Sequence, residues 1–170
     1  MCSSDLRSQA AALADMLKTI KVDAVYSSTL SRSRETAEAV AAGRLTVQSL
    51  DGLRERNYGR FQGTLDTAAE YLKRSTVWDD SMDGGESLAQ LFARTKESLD
   101  RVRREHPSGN VLVVGHRITN QMALMALMGL TQAQAVKIEQ ANDEVYLVEL
   151  DPGAPPRLWK LIREKNLGDL

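Results

Sequence analysis

The sequence predicts an α/β domain with a largely parallel sheet, and three observations carry that expectation. Apolar residues recur at helical spacing over several stretches. Between them lie short runs that alternate apolar and polar residues, or are almost wholly apolar, as strands do. The two kinds of segment alternate along the chain, which favours parallel strands joined by crossover helices.

Taken in order, residues 7–20 read as a helix, with Ala10, Leu13, Ala14 and Leu17 on one face. Residues 22–27 alternate like a short strand. Thr29 is a candidate cap for the next helix, which runs to about Ala42, turns Leu30, Ser33, Ala37 and Val40 inward, and stops at Gly43. A short strand is expected near residues 45–47. Residues 50–63 are irregular, broken by Gly52, Gly59 and Gly63. A short helix over 64–73 and a loop over 75–85 follow. Ser87 and Gln90 form a capping-box pattern at the head of a helix that ends near His106 and Pro107. Residues 110–114 are nearly all apolar, as expected of a strand covered on both faces. Residues 118–128 read as a deeply packed helix. Residues 136–140, 145–150 and 157–162 read as closing strands, and the last few residues as loose.

Composition narrows the classes. With 170 residues, 42% of them apolar, one domain can close one core. The net charge of −1 argues against a nucleic-acid or acidic-membrane partner, so any anion recognition must come from a local arginine cluster. A single cysteine, Cys2, allows no internal disulfide, and a reducing, cytoplasmic setting is expected. No apolar run is long enough for a membrane span, and the N-terminus does not read as a secretion signal. No His/Cys cluster has zinc spacing, so neither metal nor cofactor is expected. Residues 1–6 read either as a frayed natural terminus or as non-native sequence running into a coding sequence at Arg7.

Three segments carry chemistry. In residues 27–37 a strand ends and a helix begins, the place where backbone N–H groups of α/β sheets meet ligands. Arg32 lies in the first helical turn there, either as a two-pronged phosphate donor or as a solvated surface arginine. In residues 53–63 charged and aromatic residues alternate within a glycine-bounded loop. Glu55, between Arg54 and Arg56, is either a proton donor beside an anion site or part of a surface salt-bridge cluster. In residues 111–120 an apolar strand delivers Gly115 and His116 to its C-terminal end, with a helix directly behind.

Together these segments resemble the histidine phosphatase superfamily, the phosphoglycerate-mutase-like proteins, from Arg7 onward. Residues 27–37 look like the motif whose arginine binds phosphate, here Arg32. Residues 53–63 look like the motif of the proton donor, here Glu55. Residues 84–94 are similar to the family's usual start of a long helix, and residues 111–120 to the motif of the second active-site histidine, here His116. The resemblance implies a three-layer α/β/α domain with a mostly parallel central sheet. It implies phosphoric monoester hydrolysis through a phosphohistidine, on a small phosphorylated substrate.

The departures matter as much. The family begins with a central strand ending in Arg-His-Gly, whose histidine attacks phosphorus. No such tripeptide occurs here, where His106 and His116 are the only histidines. The resemblance starts where residues 1–6 end, so those are expected to be non-native. Residues 7–170 are expected to be one domain lacking its first strand, leaving residues 22–27 and 110–114 each short of a neighbour. The 170-residue chain is therefore expected to be inactive. Catalytic positions are expected at Glu55 and His116, and substrate or phosphate contacts at Arg32, Arg56, Tyr58 and Arg117. Arg117 follows His116 where glycine is more common, and Gln121 stands where many members carry arginine. Two alternatives stay open: a non-catalytic relative that binds phosphorylated ligands, and a phosphoglycerate mutase. The short spacing from Glu55 to His116 favours a phosphatase over a mutase. Residues 63–87 should cover the site, with Tyr71, Trp78 and Met82 lining a pocket or packing a core.

Overall fold

The computed structural model describes residues 10–63, 69–162 and 165–169, apart from 12 and 143. Residues 1–6 and the start of the expected first helix lie outside the described residues. In chain order the elements are α1 (10–17), β1 (Ala24–Ser28), α2 (Ser31–Ala41), β2 (Val47–Leu50), α3 (Ala69–Ser75), α4 (Leu88–Glu105), β3 (Val111–Val114), α5 (Arg117–Met128), α6 (Gln132–Ala135), β4 (Glu144–Glu149), β5 (Arg157–Ile162) and β6 (Lys165–Asp169).

The central sheet is parallel, in the order β2-β1-β3, with Val25 beside both Val47 and Leu112. Alternation along its strands builds the layers, because successive side chains point to opposite faces. Ala24, Tyr26, Val111 and Val113 face Val102 of α4, with Leu50 and Leu53 closing that cluster. Val25, Leu112 and Val114 face Ala37 and Ala41 of α2. The sheet thus lies between two helices, as the three-layer expectation requires. A further cluster joins α4 to α5 through Leu88, Leu91 and Met122, with Trp78 and Phe92 at its margin. β4, β5 and β6 form a second, antiparallel sheet.

Several expectations are corrected. β1 has a partner on each side, so it lacks no neighbour; β3 is paired only with β1 among the described residues and is only partly buried. Its two faces are covered by α4 and α2, as expected, and among the described residues its other edge is unpaired. Thr29 does not cap α2: the N-cap is Leu30, without a side-chain cap bond, and the Thr29 hydroxyl donates to Asp51 at 2.7 Å. Residues 136–140 are not a strand. A capping box of Thr131 and Gln134 starts the short helix α6, and Val136 and Lys137 continue as a turn. The C-terminal residues 165–169 pair with β5 instead of lying loose. The capping box of Ser87 and Gln90 is present in both directions, at 3.2 and 2.9 Å.

The loop that carries Glu55 is held against the segment before α4 by a glycine pair. Gly59 has φ +53°, and a Cβ there would lie 2.6 Å from Gly85 N; a Cβ on Gly85 would lie 2.5 Å from Asn57 O. Only two residues without side chains let these backbones approach so closely.

Candidate active site

Two parallel strands end at the same edge of the sheet and deliver the central groups. β1 ends at Ser28 and leads into α2, whose second residue is Arg32. β3 leads through Gly115 to His116, the N-cap of α5. Parallel neighbours must place both junctions on the sheet's C-terminal side. Arg32 Nε lies 3.2 Å from His116 Nδ1, although 84 residues separate them in sequence. Arg32 is exposed, while His116 is buried, only 8% exposed. A Cβ on Gly115 would lie 2.5 Å from Asn120 Oδ1, so a side chain there would have to push the Asn120 amide aside.

His116 Nε2 lies 2.7 Å from Ser28 Oγ, which in turn lies 2.7 Å from Ser33 Oγ. Burial is the main cause that lowers the imidazole pKa to about 4, and the Arg32 and Arg94 guanidinium charges add to it. At neutral pH His116 is uncharged.

Glu55 reaches from the irregular loop to the head of α5, just after His116. Its Oε1 accepts from Arg56 N at 2.9 Å, Thr119 Oγ1 at 3.2 Å and Thr119 N at 3.3 Å; its Oε2 accepts from Ile118 N at 3.3 Å. His116 offers no side-chain cap to α5, so the distant Glu55 satisfies the orphan N–H groups and places its charge at the helix's positive end. The Thr119 hydroxyl also donates to Arg54 O at 2.8 Å, fixing the loop backbone. Arg94 fixes it again: it forks onto Glu86 at 2.6 and 2.8 Å, and reaches Gly52 O at 2.8 Å and Glu55 O at 3.3 Å.

Arg56 stands apart from the site, against expectation. It is 2% exposed, and its three nitrogens donate to Glu86 O, Ser75 O and Asp80 O at 2.7, 2.7 and 2.8 Å. Its guanidinium ties the Glu55 loop to residues 75–86 and is not free to hold a phosphate. Tyr58 is half-buried beside Tyr71, ring centroids 5.8 Å apart. Burial first, then the Glu55 carboxylate, pushes its phenol well above the ordinary range, so it remains a hydroxyl donor. Arg117 is exposed at the first position of α5. Tyr71 and Met82 are buried, and Trp78, with the Phe92 ring 5.9 Å away, packs against the α4–α5 cluster. Gln121, buried on α5, donates to Ile138 O at 2.7 Å.

Sequence reasoning missed Ser28, Ser33, Arg94 and Thr119. The one usable signal was the pair of serines at a strand end, followed by a third on the inward face of α2. His106, at the other end of α4, lies 3.0 Å from the Tyr26 hydroxyl and takes no part. Among the described residues, no group of three or more His, Cys, Asp or Glu side chains could hold a metal ion, and no helix is long and apolar enough to cross a membrane.

The chain is similar to several known proteins. Phosphoserine phosphatase 1 of Hydrogenobacter thermophilus is 33% identical over 131 residues, covering 72% of this chain and 62% of that protein. Phosphoglycerate mutase-like protein 4 of Arabidopsis thaliana is 37% identical over 123 residues, covering 65% and 53%. The chain thus spans between half and two thirds of the length of these relatives. Among solved structures, YhfR of Bacillus stearothermophilus superposes with a TM-score of 0.76 at 22% identity, over 89% of this chain and 79% of that one. The α-ribazole phosphatase of Shigella flexneri gives 0.73 at 20% identity, over 89% and 78%, which speaks to the fold. The family model for branch 1 of the histidine phosphatase superfamily matches residues 4–162, and the chain belongs to that superfamily.

Proposed function

We propose that Arg32, His116 and Glu55 are the phosphate-holding and proton-transferring part of a phosphoric monoester hydrolase site that works through a phosphohistidine. We also propose that this 170-residue chain, having no Arg-His-Gly, binds a phosphoryl group without turning it over. The observation that carries the reading is the 3.2 Å approach of Arg32 to His116 from two separate strand ends. Nothing local in the sequence demands that approach, and an anion site does.

The chemistry follows from what each group offers. An arginine at the head of a helix forks onto two phosphate oxygens and neutralises charge that spreads in the transition state. His116 lines the same site from the next strand. Glu55 Oε2 makes a single 3.3 Å contact while Oε1 makes three, so Oε2 is the oxygen free to carry a proton to a leaving alkoxide and later to accept one from water. Tyr58 and Arg117 flank Glu55 and the α5 terminus, where the rest of a small phosphorylated substrate would lie. The attacking histidine that splits the reaction into two steps is absent from the chain.

The decisive measurement pairs binding with turnover. Inorganic phosphate should bind the chain, and Arg32→Ala should weaken that binding by about 1.5–3 kcal/mol, the scale of a charge-assisted hydrogen bond. Hydrolysis of p-nitrophenyl phosphate should stay at the uncatalysed rate. Turnover by the purified chain would overturn the inactivity and demand another nucleophile. A non-catalytic phospho-ligand-binding protein is the second reading, favoured by the missing tripeptide. Genomic DNA upstream of the Arg7 codon separates the two: an in-frame strand ending in Arg-His-Gly supports the hydrolase, and a stop codon there supports the binder.

A further inference from the structure

The two ring nitrogens of His116 have different partners, and these decide where its proton sits. Nδ1 lies 3.2 Å from Arg32 Nε. A guanidinium N–H can only donate, so Nδ1 must present a lone pair. The single proton of the neutral ring is then on Nε2 and is donated to Ser28 Oγ at 2.7 Å. Ser28 Oγ also accepts from Leu30 N at 3.1 Å, so its own proton goes to Ser33 Oγ at 2.7 Å. Ser33 Oγ ends the chain on the carbonyls of Ser28 and Leu30, each at 3.4 Å, and carbonyls only accept. Every hydroxyl thus has a fixed direction. Reversing it would turn an Nδ1 proton against the Arg32 N–H. Ser28 and Ser33 are 0% and 3% exposed, so water cannot easily replace either.

We propose that Ser28 and Ser33 are positioning residues that lock His116 with its lone pair toward the Arg32 anion site, so that a fully ionised oxyanion binds there only together with one proton taken up on Nδ1. This rests on the reading of Arg32 and His116 as one anion site. The reason is a clash of lone pairs: an ionised oxygen offers only acceptors, and Nδ1 offers another. Contact needs a proton between them. Solvent supplies it, an N–H bond forms at Nδ1, and the ring becomes an imidazolium. A phosphate monoanion can bring its own proton instead.

The groups facing the ring set the balance. Arg32 from α2 and Arg94 from α4 oppose its protonation, and Ser28 and Ser33 are neutral. The Glu55 carboxylate lies on the N–H groups of Ile118 and Thr119, and Arg117 follows in the chain. An anion on Arg32 offsets one opposing charge and brings negative charge to the ring, so uptake is coupled to binding.

Two measurements on the 15N-labelled 170-residue chain test this, with His106→Gln used only to assign the two histidines. Two-bond nitrogen–proton correlations at pH 7 should show His116 as the Nε2–H tautomer; an Nδ1–H tautomer overturns the proposal. Sulfate, ionised throughout pH 5.5–7.5, should then bind with a dissociation constant that rises about tenfold per pH unit, the slope of one linked proton. His116 should be doubly protonated at saturation. Ser28→Ala should free the ring to turn its proton to Nδ1 and flatten that slope, while Ser28→Thr keeps the hydroxyl and the slope; a slope unchanged in Ser28→Ala overturns the serine's role. Sulfate binding that is flat with pH in the unaltered chain overturns the proposal but leaves the anion site standing. If no sulfate binding sensitive to Arg32→Ala is found at any of these pH values, the anion site itself fails and the proposal with it. Should Ser28→Ala not fold, the tautomer and slope of the unaltered chain still decide.

Discussion

Arg32 and Arg56 carry the same guanidinium and serve opposite ends. Arg32 stands exposed with one contact to His116, whereas Arg56 is buried with a carbonyl on each nitrogen. Removing Arg56 would leave three carbonyls without donors inside the protein. Arg56→Gln should therefore destabilise the chain by about 2–4 kcal/mol, since each lost partner strands a desolvated group. Arg32→Ala should cost less than about 1 kcal/mol of stability while weakening anion affinity. Urea unfolding of the two variants side by side checks this; equal losses would mean the division of labour is wrong. His116 gives a pH signature at the same scale. Its imidazole falls from 6.5 to about 4 on folding, mainly through burial. The unfolded chain therefore binds the extra proton first as pH drops. Stability from this group is fully present above about 6.5 and is lost between 6.5 and about 4, by on the order of 3 kcal/mol. Urea titrations at pH 7 and pH 4.5 should differ in this direction, and the difference should shrink in His116→Gln.

Among the elements, the site depends on two backbone devices. One is the Gly59–Gly85 contact that seats the Glu55 loop on the segment before α4. Gly85→Ala should cost roughly 1–3 kcal/mol, the usual toll of overpacking, and should loosen Glu55 from α5. Backbone amide exchange at Ile118 and Thr119 should then quicken; unchanged exchange would show that the loop is held elsewhere. The other is the capping box at the head of α4, whose loss in Ser87→Ala should cost about 1 kcal/mol in the same urea assay. Here the sequence was informative in uneven ways. The capping box of α4, the inward face of α2 and the extent of β5 were all legible, because each depends on neighbours within a few residues. The strand expected over 136–140 failed because the capping box of Thr131 and Gln134 starts a short helix just before it, and Val136 and Lys137 close that helix as a turn. The Thr29 cap failed because its hydroxyl found Asp51, 22 residues away.

For the whole molecule, the layered core is closed on both faces of the central sheet, yet β3 offers an unpaired edge among the described residues. Such an edge is a template for pairing with another chain. Thermal unfolding of the 170-residue chain should therefore be irreversible and should move with protein concentration, followed by light scattering. A sharp, reversible transition independent of concentration would show that the edge is covered in solution.

What the sequence determined by itself was the alternation of helices and strands, and with it the sheet edge where chemistry collects. It also singled out Arg32, Glu55 and His116, because the residue types at those junctions resemble a family pattern. Which arginine is tied up inside the fold was decided only in the tertiary structure: Arg54, Arg56 and Arg94 are chemically alike, and the carbonyls that claim Arg56 come from residues 19 to 30 positions away. The partners of the two His116 ring nitrogens, Arg32 and Ser28, are likewise 84 and 88 residues distant. Periodicity and capping act over a few residues and leave a trace in the chain, whereas hydrogen-bond partners across the sheet edge exist only once the strands have been laid side by side.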